Sequence, residues 1–256
     1  MSNILTVTGL SKTFGGLIAV NDVSFNIPRG KIFSIIGPNG AGKSTLFDLL
    51  TRVQEPDTGD ILGDSGSLLK LPTHDIIRHG IARTFQHAQL IETASVRDNV
   101  ALGRLKFRSN QLSSALFRTK SFRTAQALED TQLNELLARL NLAEHADTVV
   151  SKNSTLLRQL TAIAMALASE PNLLLLDEPM GGLIENEVQG LMSVLRKLNN
   201  EGLTIVLIEH RMSAVMSLSD YVMVLNFGRR IALGTPNEIQ RDQSVIEAYL
   251  GASDVT

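Results

Sequence analysis

Over the first 36 residues apolar and polar positions alternate, with Val23, Phe25 and Ile27 set against Ser24 and Asn26 and with Pro28-Arg29-Gly30 as a break before KIFSII. A period of two belongs to a strand with one buried face, so this stretch predicts strand, turn and strand. The run Phe33 to Ile36 feeds into Gly37, and from Gly42 onward KSTLFDLLTRV is helix-like. From about Ala88 to Ala166 the texture is helical: SVRDNVALGRL, TAQALEDTQLNELLARLNL and LRQLTAIAMAL, the last with Leu160, Ile163, Ala164 and Leu167 at helical spacing. Then come LLLLDEP, a helix around Glu187 to Leu198, the strand TIVLIEH, and the hairpin YVMVLNFGRRIAL turning at Phe227-Gly228. In TPNE, Thr235 is a cap, Pro236 the first helical residue and Glu238 the third, which opens a C-terminal helix. The alternation of strands and helices predicts an α/β fold. It has an N-terminal β subdomain and a helical subdomain inserted over residues 88–166 of one domain spanning 1–256.

Composition narrows the classes. A chain of 256 residues, 43% hydrophobic, is long enough for one large domain. A formal net charge of -2 gives no overall attraction for nucleic acid. Cysteine is absent, which removes disulfides, thiolate zinc sites and iron–sulfur clusters and fits a reducing compartment. The opening MSNILTVTGLSKTFGG has no cationic leader followed by an apolar core, and LLLL at 173–176 and IVLI at 205–208 fall far short of the roughly 18 residues of a membrane helix. The expectation is a cytosolic protein that meets a membrane only through a partner. Arg104, Lys106, Arg108, Arg118, Lys120 and Arg123 form a locally basic run, read either as a solvated helix face or as a surface near anionic lipid or a membrane subunit.

Two motifs carry the chemistry. GPNGAGKST, made of Gly37, Pro38, Asn39, Gly40, Ala41, Gly42, Lys43, Ser44 and Thr45, completes the Walker A pattern between a strand and a helix. Its glycines let backbone N–H groups close around a phosphate, Lys43 reaches the β and γ oxygens, and the Ser44 hydroxyl suits Mg²⁺. LLLLDEP supplies a buried strand ending in Asp177, suited to Mg²⁺, and Glu178, one residue further on and placed to polarise a water. Three further residues discriminate among phosphate-loop enzymes: Phe14, able to stack on adenine, Gln86 in RTFQ, and His210 at the end of TIVLIEH. A kinase or GTPase would leave Gln86 and His210 unexplained, and no guanine-reading NKxD motif is present.

In this order the residues resemble the ATP-binding-cassette transporter ATPases along almost the full chain. FGGLIAVNDVSF, RTFQHAQL, SFRTAQ, LIEHRM and GTPNEI with VIEAYLG are similar to the branch that serves branched-chain amino acid importers, parts of which urea, amide and lipopolysaccharide transport ATPases share. The resemblance implies a phosphate-loop NTPase core with an antiparallel β subdomain and the helical insertion. It implies ATP and Mg²⁺ as ligands, with Phe14 on adenine, Gln86 at the metal and water, Glu178 as base and His210 as the switch histidine. It also implies a second ATPase subunit, transmembrane permease subunits, an indirect link to a solute-binding protein, and a peripheral place on the cytoplasmic face of the membrane.

Two such domains close head to tail in that family, each ATP lying between one subunit's Walker A and the other's LSGGQ-like signature. Counted back from Asp177, the signature slot here is Asn153-Ser154-Thr155-Leu156-Leu157. Ser154 is kept, but both glycines and the glutamine are gone, and no glycine occurs between Gly103 and Gly181. Ile184 stands where the resemblance leads to Asp or Asn in the loop after DEP. The elements that serve this subunit's own ATP are therefore intact, and those that act across the interface are altered. An asymmetric pair with a nonidentical partner is expected. The other reading is a nucleotide-binding regulatory subunit with little hydrolysis.

Overall fold

The computed structural model describes residues 2–84, 90–105 and 120–250. Two sheets organise it. The strands β1 (Asn3–Phe14), β2 (Leu17–Pro28), β4 (Thr58–Gly63) and β5 (Gly66–Ser67) form an antiparallel sheet in the order β2-β1-β4-β5. The strands β3 (Ile32–Ile36), β6 (Ile81–Thr84), β7 (Leu173–Asp177), β8 (Thr204–Ile208), β9 (Tyr221–Asn226) and β10 (Arg229–Gly234) form the second, in the order β10-β9-β3-β8-β7-β6. All its pairings are parallel except the β9–β10 hairpin. Phe25 and Phe33 stack with centroids 5.7 Å apart and tie the two sheets together.

The parallel strands are apolar without alternation because both their faces are covered. Leu174, Leu176, Ile205 and Leu207 pack into a core with helices α4 (Thr155–Leu167) and α5 (Glu185–Asn200). Their neighbours Leu173, Leu175, Val206 and Ile208 face α1 (Lys43–Leu50) and the antiparallel sheet. A smaller cluster holds Val222 and Val224 against α6 (Met212–Leu218), α7 (Pro236–Arg241) and α8 (Gln243–Leu250). Between β6 and β7 lie α2 (Val96–Leu102), α3 (Lys120–Arg139) and α4. Leu133 and Leu137 of α3 join the same core as Leu174 and Leu176 of β7, so the helical stretch and this face of the sheet share one apolar interior.

Several boundaries differ from the pattern in the sequence. The first helix stops at Leu50 instead of running through Val53, because Arg52 turns to φ 59, a left-handed conformation that ends a helix. The antiparallel sheet recruits β4 and β5, which carry too little alternation to stand out. The single C-terminal helix is two, broken at the extended Asp242, whose Oδ1 accepts a hydrogen bond from the Ser244 amide at 2.9 Å. Arg104 is not part of a basic surface: it is buried, donates to Gln132 at 2.6 Å and pairs with Glu170 at 3.3 Å. Lys106, Arg108 and Arg118 lie outside the described residues, as does Ala88, the expected start of the helical subdomain. Among the described residues no helix is long and apolar enough to cross a membrane.

Gly103, at the end of α2, shows how closely the helices approach: a Cβ there would lie 1.9 Å from the Met165 carbonyl oxygen on α4. Gly103→Ala should therefore destabilise the protein by about 1–3 kcal/mol through overpacking. Gly190→Ala, on the exposed side of α5 with nothing within 4 Å of the new methyl, should stabilise it by about 0.4–1 kcal/mol. Urea unfolding of the two variants checks both signs.

Candidate functional site

The phosphate loop runs from the end of β3 to the start of α1, and its shape is dictated by close backbone approach. At Gly37 (φ 153) a Cβ would lie 2.1 Å from the Leu225 carbonyl oxygen, and at Gly42 (φ 98) 2.2 Å from that of Ala19. Any side chain at either position would collide with backbone. The tip of the β9–β10 hairpin braces the loop: the Gly228 amide donates to the Ala41 carbonyl at 3.0 Å, and the Gly228 carbonyl accepts from the Asn21 amide at 2.8 Å. Phe227 and Gly228, with φ 45 and 74, form the tight turn the sequence predicts.

A cleft of about 590 Å³ opens on the loop, lined by Asn39 to Thr45, by Leu17, Ile18 and Ala19, and by Glu178, His210 and Phe227. Lys43 is buried and donates to the carbonyls of Gly37 at 2.8 Å and Pro38 at 2.9 Å. Burial pushes its ammonium below the usual range, and the charges of Glu178 and Asp177 oppose this. Across the cleft, Nε2 of His210 lies 2.6 Å from Oε1 of Glu178. Glu178 sits at φ 49, a costly conformation for a residue with a side chain, held by its amide donating to the Ile208 carbonyl at 3.0 Å. The ends of β7 and β8 are thus locked side by side, which brings a base candidate and a histidine together.

Three residues that the motifs did not single out also shape the site. Arg83 on β6 donates to Asp177 at 2.9 Å and to Asp48 of α1 at 2.6 Å. Burial pushes the Asp177 carboxyl above its usual range, and the Arg83 guanidinium works against that. Glu209, almost fully buried, accepts from the amides of Met180 at 2.7 Å and His210 at 3.1 Å. It cross-links the loop after Glu178 to the loop that carries His210. Burial raises its carboxyl too, with these amides opposing. Tyr249 of α8 joins Gly37 to Ala41 in lining a second cleft of about 600 Å³ behind the loop, and burial pushes its hydroxyl up to about 12. A lone charge in an otherwise apolar strand, as in IARTF, or directly after one, as in TIVLIEH, is the signal that marks the first two.

The remaining candidates lie apart. Phe14 is 44% exposed next to the cleft, paired in register with Leu17, while Leu17 and Ile18 form the apolar wall itself. Gln86 lies outside the described residues. The signature slot does not line the cleft: Ser154 caps α4, its Oγ accepting from the Leu157 amide at 3.3 Å, and Thr155 and Leu156 occupy the first turn. Ile184, 67% exposed, precedes α5 and contributes no side-chain cap. The two altered elements are neighbours, since a Cβ at Gly182 would be 3.7 Å from Cγ2 of Thr155.

Comparison with known proteins settles the family. Residues 20–181 match the family model described as ABC transporter. This chain belongs to the ABC transporter family. Residues 229–255 match a second model, described as branched-chain amino acid ATP-binding cassette transporter. The chain is 40% identical over 249 residues to the high-affinity branched-chain amino acid transport ATP-binding protein LivG of Escherichia coli K12, covering 97% of this chain and 98% of that protein. It is 37% identical to BraF of Pseudomonas aeruginosa over the same shares. An ABC transporter ATP-binding cassette solved in its ADP conformation superposes with a TM-score of 0.85 at 26% identity, over 98% of this chain and 100% of that one. The cleft therefore belongs to an ATP-binding cassette, and the activity of this family is ATP hydrolysis.

Glu209→Gln turns one of the accepting oxygens into a donor that faces a backbone amide. It should cost about 1–3 kcal/mol of stability and lower ATP turnover while nucleotide binding at the phosphate loop persists. Urea unfolding and fluorescent-ATP binding, set beside the hydrolysis rate, check this.

Proposed function

We propose that this chain is the ATP-hydrolysing subunit of a membrane importer for branched-chain or related amino acids, working in an asymmetric pair with a nonidentical ATPase subunit. The observation that carries the reading is the division of the site. Lys43, Glu178 and His210 converge on one cleft, whereas Ser154 to Leu157 and Ile184 stand outside it and lack the glycines that let backbone approach a phosphate. Its similarity to LivG and BraF supports the substrate class. The permease subunits, an indirectly linked solute-binding protein, and a peripheral place on the cytoplasmic face follow from the same likeness.

In the proposed mechanism backbone N–H groups between Asn39 and Thr45 receive the phosphates, and Lys43 exchanges its hold on the Gly37 and Pro38 carbonyls for the β and γ oxygens. Leu17 and Ile18, with Phe14 at their side, form an apolar seat for adenine. The Ser44 hydroxyl and the Asp177 carboxylate are hard oxygen donors of the kind Mg²⁺ takes, with Gln86 as a third candidate. So small a set of protein donors suits Mg²⁺, which usually keeps several waters and is completed by substrate phosphates. Bound there, Mg²⁺ would neutralise charge on the phosphates. Glu178 takes a proton from the water whose oxygen bonds to the γ-phosphorus as the bond to the β–γ bridging oxygen breaks and ADP leaves, while His210, with Nε2 2.6 Å from Oε1 of Glu178, holds that carboxylate in place and would position the γ-phosphate. The altered signature equally suits a regulatory subunit that binds ATP and barely hydrolyses it, and the same experiment separates the two.

A missing oriented donor at a reacting oxyanion costs about 100 to 1000-fold in rate. Purified alone, the chain should hydrolyse ATP slowly. In a complex with an intact partner, Glu178→Gln here should remove most hydrolysis, while the equivalent change in the partner should matter little. Equal losses from the two changes reject the asymmetric site, and no effect from Glu178→Gln supports the regulatory reading. His210→Ala in the same complex should slow turnover more than it weakens ATP binding, as measured by comparing kcat with the nucleotide Kd.

A further inference from the structure

We propose that Arg83 is a positioning residue for metal binding, one that fixes the distance and orientation between the two elements carrying the metal donors. This rests on the reading above that Ser44 and Asp177 hold Mg²⁺. Arg83 lies on the edge strand β6, in parallel register with Leu175, two residues before Asp177 on β7. Its guanidinium reaches past the strand end in two directions, with Nη2 donating to Oδ2 of Asp177 at 2.9 Å and Nη1 to Oδ1 of Asp48 at 2.6 Å. Nη1 also donates to Oγ1 of Thr51 at 3.2 Å, and the guanidinium lies 5.5 Å from the centre of the Phe47 ring.

Asp48 and Ser44 are four residues apart on α1 and therefore share a face, one turn from each other. One planar fork thus joins the helix that presents the Ser44 hydroxyl to the strand that presents the Asp177 carboxylate. With a side chain only 7% exposed, Arg83 is held by its surroundings, and Asp177 at 6% has little freedom of its own. A rigid fork occupying one carboxylate oxygen turns the other toward a single direction, which is what an ion needing near-ideal geometry requires. Charge neutralisation alone would need only a cation. Bridging Asp48 and Asp177 at once needs the two ends of a guanidinium.

The test uses the full-length chain, a fluorescent ATP analogue and a Mg²⁺ titration, with binding in EDTA as the reference that depends on the phosphate loop alone. Arg83→Lys keeps the charge and loses the bridge. It should leave binding in EDTA within about twofold of the unchanged protein, and should raise the Mg²⁺ concentration for half-maximal enhancement by about 10 to 100-fold, the usual effect of losing a group that orients a metal ligand. Asp177→Asn should shift the same midpoint, and the double variant should be no worse than Asp177→Asn alone, because both act on one carboxylate. An unchanged midpoint in Arg83→Lys overturns the proposal, as do independent, multiplying effects in the double variant. Loss of binding in EDTA and in Mg²⁺ alike, in both Arg83→Lys and Arg83→Gln, makes Arg83 a structural residue and overturns it as well. If the unchanged protein itself binds no ATP, or binds it without response to Mg²⁺, it is the metal-site reading of Ser44 and Asp177 that fails.

Discussion

The phosphate loop exists because backbone passes backbone without side chains between them. Gly37 runs against the Leu225 carbonyl and Gly42 against the Ala19 carbonyl, at separations no Cβ could occupy. From this contact the rest of the site takes its position. Leu225 belongs to β9, beside β3 in the parallel sheet, and Ala19 belongs to β2 in the antiparallel sheet, so the loop is clamped between backbone of the two sheets. The hairpin tip completes the clamp through Gly228, bonded to Ala41 on one side and to Asn21 on the other. A loop held on both sides keeps its amides aimed before any ligand arrives, which lowers the cost of ordering it on binding.

Buried charge does the remaining positioning. Asp177 and Glu209 are both taken out of water, at a cost that only directed hydrogen bonds offset. Each carboxylate therefore ties together segments that sheet pairing alone leaves independent. Asp177 is joined through Arg83 to α1, and Glu209 joins the loop after Glu178 to that of His210. Removing water strengthens these contacts and also punishes their loss, so the geometry of the Glu178–His210 pair depends on buried groups beside it as well as on the pair itself.

The surface formed by Thr155, Gly182 and Ile184 obeys different rules. It lies at the starts of α4 and α5, where an oriented helix N-terminus is suited to an anion, yet Thr155 and Leu156 fill the first turn of α4 with side chains, and at α5 Ile184 brings no capping side chain while Glu187 accepts from its amide at 3.1 Å. Selection for a phosphate contact would favour glycine and a polar cap at these places. The contrast with the clamped phosphate loop, where Gly37 and Gly42 are sterically required and kept, is the physical basis of the asymmetric pairing proposed above.

Much of the architecture was legible in the sequence, because the reasons are local. Continuous apolar runs ending in charge gave β7 and β8, period-two alternation gave β2, and Thr235-Pro236-x-Glu238 marked the start of α7. The Walker motifs were readable for the same reason: glycine spacing encodes a backbone shape with Lys43 and Ser44 at fixed offsets from it, and Asp177 ends a continuous apolar run. The end of α1 at a left-handed Arg52 was not, because apolar spacing does not mark a single left-handed residue, nor were the recruitment of β4 and the burial of Arg104, which depend on partners far along the chain. The same holds for Arg83, separated by 35 residues from Asp48 and by 94 from Asp177. By itself the sequence singled out the candidate residues for handling phosphate. Tertiary structure alone decided which distant charges hold them in place, because a buried ion pair is specified by where two elements cross and not by the spacing of residues within either.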